Sequence, residues 1–263
     1  MRVKAEKWTS RGEKWPTEGE KGSSLPGMRV AAAEELFPRL GGSRGFRESF
    51  EKSRRELAAD YIDYIFTTSS ALHAVSLPLA AFMLALCRAT EPSSVADLGS
   101  GFSSHVLRVY AGEAAHPVRV ASVDDSPSWL EKTEEFVERL GHSPDGVVSW
   151  ADFKQTGAGA FDIVLYDLGT MDTRARELET VLAGAKQGAL VVVDDVHYAA
   201  YRRIVEERAS ERHFVAYDLE ELTRDEYGRF SWLLTRSDTE EETSVPASAA
   251  LRSPRTKAVN SVS

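Results

Sequence analysis

Three aspartates stand where the chain leaves two hydrophobic runs. Asp167 closes FDIVLYD, and the pair Asp194 and Asp195 closes ALVVVDD, with His197 two residues further on. Carboxylates gathered at neighbouring strand tips repel one another unless they are protonated or bound to a cation. An all-oxygen donor set suits a hard divalent ion such as magnesium, with positions left open for a bidentate substrate. His197 offers a metal-free route, because an imidazole near neutrality can take the proton of a hydroxyl group. A purely structural role for all four residues is the competing reading.

A second set lies upstream. In SVADLGSGFSS, Asp97 precedes Gly99, Ser100 and Gly101. Glycine is needed where the backbone turns sharply after a strand and comes close to a ligand, although the same pattern also serves a tight strand-to-helix turn. The next β-like run ends in VDDSPSWLEK. An acidic residue at that strand end, Asp124, can accept both hydroxyls of a ribose, since open α/β sheets bind ligands at the carboxyl ends of their strands. Asp125 is then free to cap the helix that starts near Pro127.

These residues need a scaffold, and the chain between Ser94 and Arg236 supplies an alternation of β-like and helix-like segments. SVADLG, VRVASVD, GVVSWAD, FDIVLYD and GALVVVDD read as strands; SSHVLRVYAGE, SWLEKTEEFVERLG and TRARELETVLAGAK read as helices. This is the pattern of a parallel sheet covered on both faces. HFVAYDLEEL and FSWLLTRS are joined only by TRDEYGR, too short for a helical crossover, so they form an antiparallel hairpin. Two helices precede the alternation, at about residues 47–66 and 71–88. The second is apolar enough to be buried, with Cys87 as a core thiol and a start or kink at Pro78. Met28 opens MRVAAAEELFPRL, which reads as a helix and as a natural start of the chain.

That order of elements, with DLGSG after the first strand and an antiparallel last strand, resembles the class I S-adenosylmethionine-dependent methyltransferases over about Ser69 to Arg236. The resemblance implies a Rossmann-like, doubly wound α/β fold: a seven-stranded sheet with its last strand antiparallel, plus amino-terminal helices. Four regions follow: a disordered tail over 1–27, helices with a lid over 28–90, the cofactor-binding core over 91–236, and a second disordered tail over 237–263. It further implies S-adenosylmethionine as cofactor. Asp97 would lie near its ammonium end, Gly99, Ser100 and Gly101 would wrap its amino-acid portion, and Asp124 would hold its ribose. Asp152 would accept from the adenine amine, with Phe153 or Trp150 covering the ring and Trp129 as a further wall.

Catechol-type O-methyltransferases place an acidic residue after strand four and an Asp-Asn or Asp-Asp pair after strand five, and Asp167, Asp194 and Asp195 fall on those positions. VVVDDVH followed by a helix is also similar to methyltransferases acting on sugars or antibiotics. DLGTMDTRARE lacks the histidine-bearing segment common in the catechol group. Asp167, Asp194 and His197 are the catalytic candidates, with Asp167 also at the cofactor edge; Asp167, Asp194 and Asp195 are the candidates for magnesium.

Composition narrows the partners. A formal charge of -9 opposes a nucleic-acid or anionic-membrane surface, and YDLGT is not the tetrad of base N-methyltransferases. A single cysteine excludes an internal disulfide and a zinc cluster and points to a reducing, cytoplasmic setting. The expected partner is a small hydroxylated acceptor, with a homodimer compatible with the sequence. A nicotinamide-dependent oxidoreductase, which leaves the aspartates near Asp167 and Asp194 without a task, and a non-catalytic methyltransferase-like binding domain are the competing functions.

Overall fold

The computed structural model describes residues 28–156 and 161–236. The two tails expected at 1–27 and 237–263 lie outside them. Eight strands form one sheet: β1 (Val30–Ala32), β2 (Ser94–Leu98), β3 (Arg119–Asp124), β4 (Val147–Ser149), β5 (Ile163–Tyr166), β6 (Leu190–Val193), β7 (Phe214–Asp218) and β8 (Trp232–Arg236). Their order is β1-β7-β8-β6-β5-β2-β3-β4. Only β8 runs antiparallel to its neighbours, pairing with β7 on one side and β6 on the other.

The mixed α/β architecture and the antiparallel last strand are as expected, and two details differ. The sheet has eight strands rather than seven, because Val30–Ala32 adds to the free edge of β7 with Ala31 opposite Tyr217. The helix expected from Met28 is instead this strand followed by two 3-10 turns, Ala33–Glu35 and Phe37–Leu40. Unpaired amides and carbonyls along β7 offer a partner that outweighs alanine's helix preference, and Pro38 bars a continuous helix.

Side chains along the strands alternate between two cores. Val95, Ile163, Leu165, Val192 and Leu233 face one; Ala96, Leu98, Val164, Tyr166, Val191, Val193 and Leu234 face the other. The first is covered by α1 (Ser43–Thr67), α2 (Leu77–Thr90) and α3 (Phe102–Glu113), the second by α6 (Met171–Gly184) and α7 (Ala199–Glu211). Helix α2 is buried continuously from Leu79 to Cys87, as its composition predicts. It starts at Leu77 rather than near residue 71, with Pro78 in the first turn, where proline is tolerated, and the Ser76 side chain accepting from the Leu79 amide at 3.1 Å. Helix α4 (Pro127–Arg139) and the short helices α5 (Trp150–Thr156) and α8 (Glu220–Thr223) complete the element list. No helix among the described residues is long and apolar enough to cross a membrane.

One buried cation ties this layer together. Arg108, on α3 and 6% exposed, donates to Ser122 Oγ at 2.7 Å, to the carbonyl of Ser104 at 3.0 Å, and to those of Ser143 and Asp145 at 2.8 and 2.9 Å. Replacing it by methionine leaves four acceptors and the nearby Asp97 charge without compensation. Arg108→Met is expected to lower unfolding stability by about 3 kcal/mol in urea denaturation.

Candidate functional site

Register brings the reactive side chains to one edge. Leu98 pairs with Tyr166 across β2 and β5, and Tyr166 with Val193 across β5 and β6. The residues that follow therefore emerge side by side. The amide of Asp167 donates to the Leu98 carbonyl at 2.7 Å, and that of Asp194 to the Tyr166 carbonyl at 3.1 Å. On the other side Asp124 ends β3, one strand from β2.

Between them lies the glycine turn. Gly99 and Ser100 both donate their amides to the Val123 carbonyl, at 2.7 and 3.0 Å. Gly99 has φ +112, and a β-carbon there would overlap the backbone carbonyl of Asp167. Glycine is thus required by the close approach of β2 and β5 as well as by the turn. A β-carbon on Gly101 would stand 2.6 Å from the Tyr64 hydroxyl.

Asp97 is fully buried beneath this turn. Its Oδ2 accepts from Ser103 Oγ at 2.8 Å and Ser104 Oγ at 2.7 Å, and the Ser122 hydroxyl and the Arg108 charge also favour its ionised form. Burial raises its pKa despite those hydroxyls. It is not among the residues lining the cavity described below, so it acts on the loop and the start of α3 from behind.

Asp124 does face the cavity. Its carboxylate accepts from the amides of Ser100 at 3.1 Å and Ser126 at 2.9 Å, and burial raises it to about 6. Trp129, in the first turn of α4, fixes its indole by donating to the Ser100 carbonyl at 2.5 Å and supplies an aromatic wall.

The expectations for Asp152 and Phe153 do not hold at the cavity. The strand expected to run to Asp152 stops at Ser149, and α5 rotates both side chains away. Phe153 is buried in the core, stacked between Trp150 and Phe161, and Asp152 accepts from Ser149 Oγ at 2.6 Å. Neither lines the cavity. The small step from strand to helix at Trp150 leaves no mark in a run as apolar as VVSWADF.

Asp167, Asp194 and Asp195 do converge, with a carboxylate oxygen of each within 4.8 Å of the others. As a donor set this would suit a divalent cation. Arg174, however, occupies the space between two of them. Its Nη1 donates to Asp195 Oδ2 at 2.6 Å, and its Nη2 forms an ion pair with Asp167. Asp194 Oδ1 accepts from Ser231 Oγ at 2.7 Å. A dication and a guanidinium about 5 Å apart repel by about 7 kcal/mol at an effective dielectric of about 20. As arranged, these residues do not fit a divalent metal, which can be seated only if Arg174 leaves.

Burial raises Asp167 well above the ordinary carboxylate range, with the Arg174 charge opposing it, and raises Asp194 to about 6. Arg174 keeps its charge: burial works against it, and Asp167 and Asp195 more than offset that. Asp195 adopts a left-handed backbone, φ +59, a conformation costly for a non-glycine residue.

His197 lies behind Asp195, its Nδ1 3.4 Å from Oδ1, with its ring against Tyr198 and Phe230. Burial lowers its pKa. It is not part of the cavity wall.

The cavity encloses about 470 Å³ and joins the two sets of residues: the Gly99–Gly101 turn, Asp124 and Trp129 on one side, and Asp167, Asp194, Asp195 and Arg174 on the other. Its remaining wall comes from the segment joining α1 to α2, where Leu72, His73, Ala74 and Val75 face it. Arg229 holds that segment by donating to the carbonyls of Ala71, Leu72 and Ala74 at 3.0, 3.0 and 3.2 Å, while Asp225 secures its Nε at 2.6 Å. His73 Nδ1 is 2.9 Å from Ser70 Oγ, which leaves Nε2 for exchange of a proton.

Sequence reading missed His73, Arg174 and Arg229 as site residues. Arg174 carried one usable signal: it falls seven residues after Asp167, in the first turn of the helix that leaves the same strand. Nothing marked His73 and Arg229, which meet from positions 156 residues apart.

Gly99→Ala is expected to cost about 3 kcal/mol of stability and to displace Asp167, from overlap added to the positive φ. Gly188 has φ +75 with open space around its α-carbon, so Gly188→Ala should cost only about 1 kcal/mol for the conformation. Urea unfolding of the two variants in parallel measures the difference.

No family model matches the chain, and no curated protein matches it. Solved structures do. An O-methyltransferase from Bacillus cereus in complex with S-adenosylhomocysteine aligns with a TM-score of 0.53 at 18% identity, over 71% of this chain and 89% of the other. The O-methyltransferase TomG from Streptomyces achromogenes, involved in tomaymycin synthesis and in complex with S-adenosylmethionine, aligns at 0.51 with 21% identity, over 72% and 90%. The S-adenosylhomocysteine-bound methyltransferase PaMTH1 of Podospora anserina aligns at 0.51 with 15% identity, over 82% of this chain and 100% of its own. What the chain shares with these proteins is its fold, the Rossmann-like fold of class I methyltransferases.

Proposed function

We propose that the protein is an S-adenosylmethionine-dependent O-methyltransferase acting on a small, uncharged hydroxylated molecule. One observation carries the reading: the glycine turn, Asp124 and Trp129 share a single cavity with the carboxylates at the tips of β5 and β6. The fold held in common with three methyltransferases solved with this cofactor or its product supports it.

Charge separates this reading from a nicotinamide enzyme. Asp124, Asp125, Asp167, Asp194 and Asp195 line the cavity against two arginines, Arg174 and Arg229, both already paired with carboxylates. A sulfonium with an ammonium group suits such a surface, whereas a pyrophosphate would be repelled.

When bound, the cofactor supplies an electrophilic methyl carbon and leaves as a neutral thioether once the acceptor oxygen has displaced it. The chain's own residues do the rest. Asp124 accepts the ribose hydroxyls, and Trp129 covers the flat face beside them. Leu72, Ala74 and Val75 give the acceptor an apolar wall and help to exclude water. His73 takes the hydroxyl proton at Nε2 as the new carbon–oxygen bond forms, and Ser70 keeps its ring in place; Arg229 fixes the backbone on both sides of that histidine.

Titration calorimetry with S-adenosylhomocysteine is the direct test, and absence of binding to folded protein would sink the reading. Hydroxyl donors favour an ionised Asp124, so affinity should weaken as pH falls through about 6, by up to tenfold per unit. Asp124→Asn is expected to flatten that dependence and to weaken binding about tenfold or more at neutral pH.

His73→Asn should lower kcat by about a hundredfold while leaving affinity for S-adenosylhomocysteine unchanged. Radiolabelled methyl transfer to a panel of phenols and alcohols provides the rate. An undiminished kcat in His73→Asn would move the proton-accepting role to another residue.

A further inference from the structure

We infer that Arg174 is the resident cation of this site and stands in the place that a divalent metal would take among Asp167, Asp194 and Asp195. The inference goes beyond the proposed activity and rests on it only where it concerns methyl transfer; the geometry below is independent of the substrate.

Each carboxylate already has a partner supplied by the chain. Asp167 and Asp195 share the Arg174 guanidinium, and Asp194 is held by Ser231. Arg174 is itself anchored along its length. Its amide donates to the Thr170 carbonyl at 2.9 Å, its carbonyl accepts from the Tyr166 hydroxyl at 2.8 Å, and its Nη2 reaches the Gly169 carbonyl at 3.5 Å. It is 9% exposed. Tyr166 is the last residue of β5, directly before Asp167, so one strand fixes both the carboxylate and the helix turn that delivers its counter-charge.

The unusual backbone of Asp195 serves the same pairing. With φ +59, Asp195 gives one carboxylate oxygen to Arg174 and turns the other toward His197. A fixed guanidinium differs from a metal in one decisive respect: its donors point in a plane toward the two carboxylates and leave no ligand position for a chelating diol. The site then fits an acceptor with a single reacting hydroxyl. In this arrangement Arg174 is a positioning residue, holding Asp167 and Asp195 at fixed places in the wall.

Manganese, whose paramagnetic signal falls on binding, probes the idea on the full-length chain. Wild-type protein should show no saturable binding below about 1 mM Mn²⁺. Arg174→Ala removes the guanidinium and leaves three converging carboxylates, so it should gain a site at least about tenfold tighter, and the added change Asp195→Asn should abolish that gain. A role in folding alone would not create a metal site.

Saturable binding to wild type that Asp195→Asn removes would overturn the inference, as would a folded Arg174→Ala with no gain. Should Arg174→Ala fail to fold, the wild-type titration decides by itself. Calorimetry with S-adenosylhomocysteine on the same samples keeps the two ideas apart, because loss of cofactor binding refutes the methyltransferase reading without touching the manganese result. Where methyl transfer is detected, its rate should be unchanged by a chelator.

Discussion

Five carboxylates facing one cavity at the edge of one sheet set the problem that the rest of this protein answers. Removed from water, such groups either take up protons or acquire counter-charges, and the chain uses both devices. Burial raises Asp124 and Asp194 to about 6 and raises Asp167 well above the ordinary carboxylate range. Arg174 bridges Asp167 and Asp195. Asp167 follows directly on β5, and the helix that carries Arg174 begins a short loop later at Met171, which keeps charge and counter-charge in one local unit.

Arg229 solves a different part of the same problem. Its guanidinium satisfies three carbonyls of a segment that has no regular structure of its own, and Asp225, almost wholly inaccessible, balances its charge. Segment 71–75 can therefore form a cavity wall instead of a mobile loop. That clamped segment presents Leu72, His73, Ala74 and Val75 to the cavity.

Much of this was legible beforehand. Apolar runs ending in aspartate placed β2, β3, β5 and β6 and put Asp97, Asp124, Asp167 and Asp194 at or near their ends, because strand alternation and strand-end chemistry are local properties. Local reasoning also located Pro78 at a helix start. It failed where the outcome depended on distant partners. β1 exists because β7 had a free edge, and Phe153 is core because α5 begins one residue after β4 ends. Likewise the fold sets His197 behind Asp195 and brings His73 to the cavity wall, in a segment held by Arg229 from 156 positions further along the chain. Spacing suggested the carboxylate cluster, and the place of Arg174 seven residues after Asp167 was a signal for the guanidinium inside it that went unread.

The position of β8 has a consequence for how the molecule comes into being. Among the described residues, β8 is the only strand that joins the β1–β7 ribbon to the rest of the sheet, and it follows the other seven in the chain. Until it is made, a nascent chain carries two open strand edges, on β6 and on β7, with Val191–Val193 unpaired on one side. Ser231 and Arg229, which complete the carboxylate wall and its roof, arrive in the same stretch of synthesis. Closure of the sheet and assembly of the cavity are thus one late event, and a chain that stops before Trp232 is an aggregation-prone species rather than a weakened form of the finished protein.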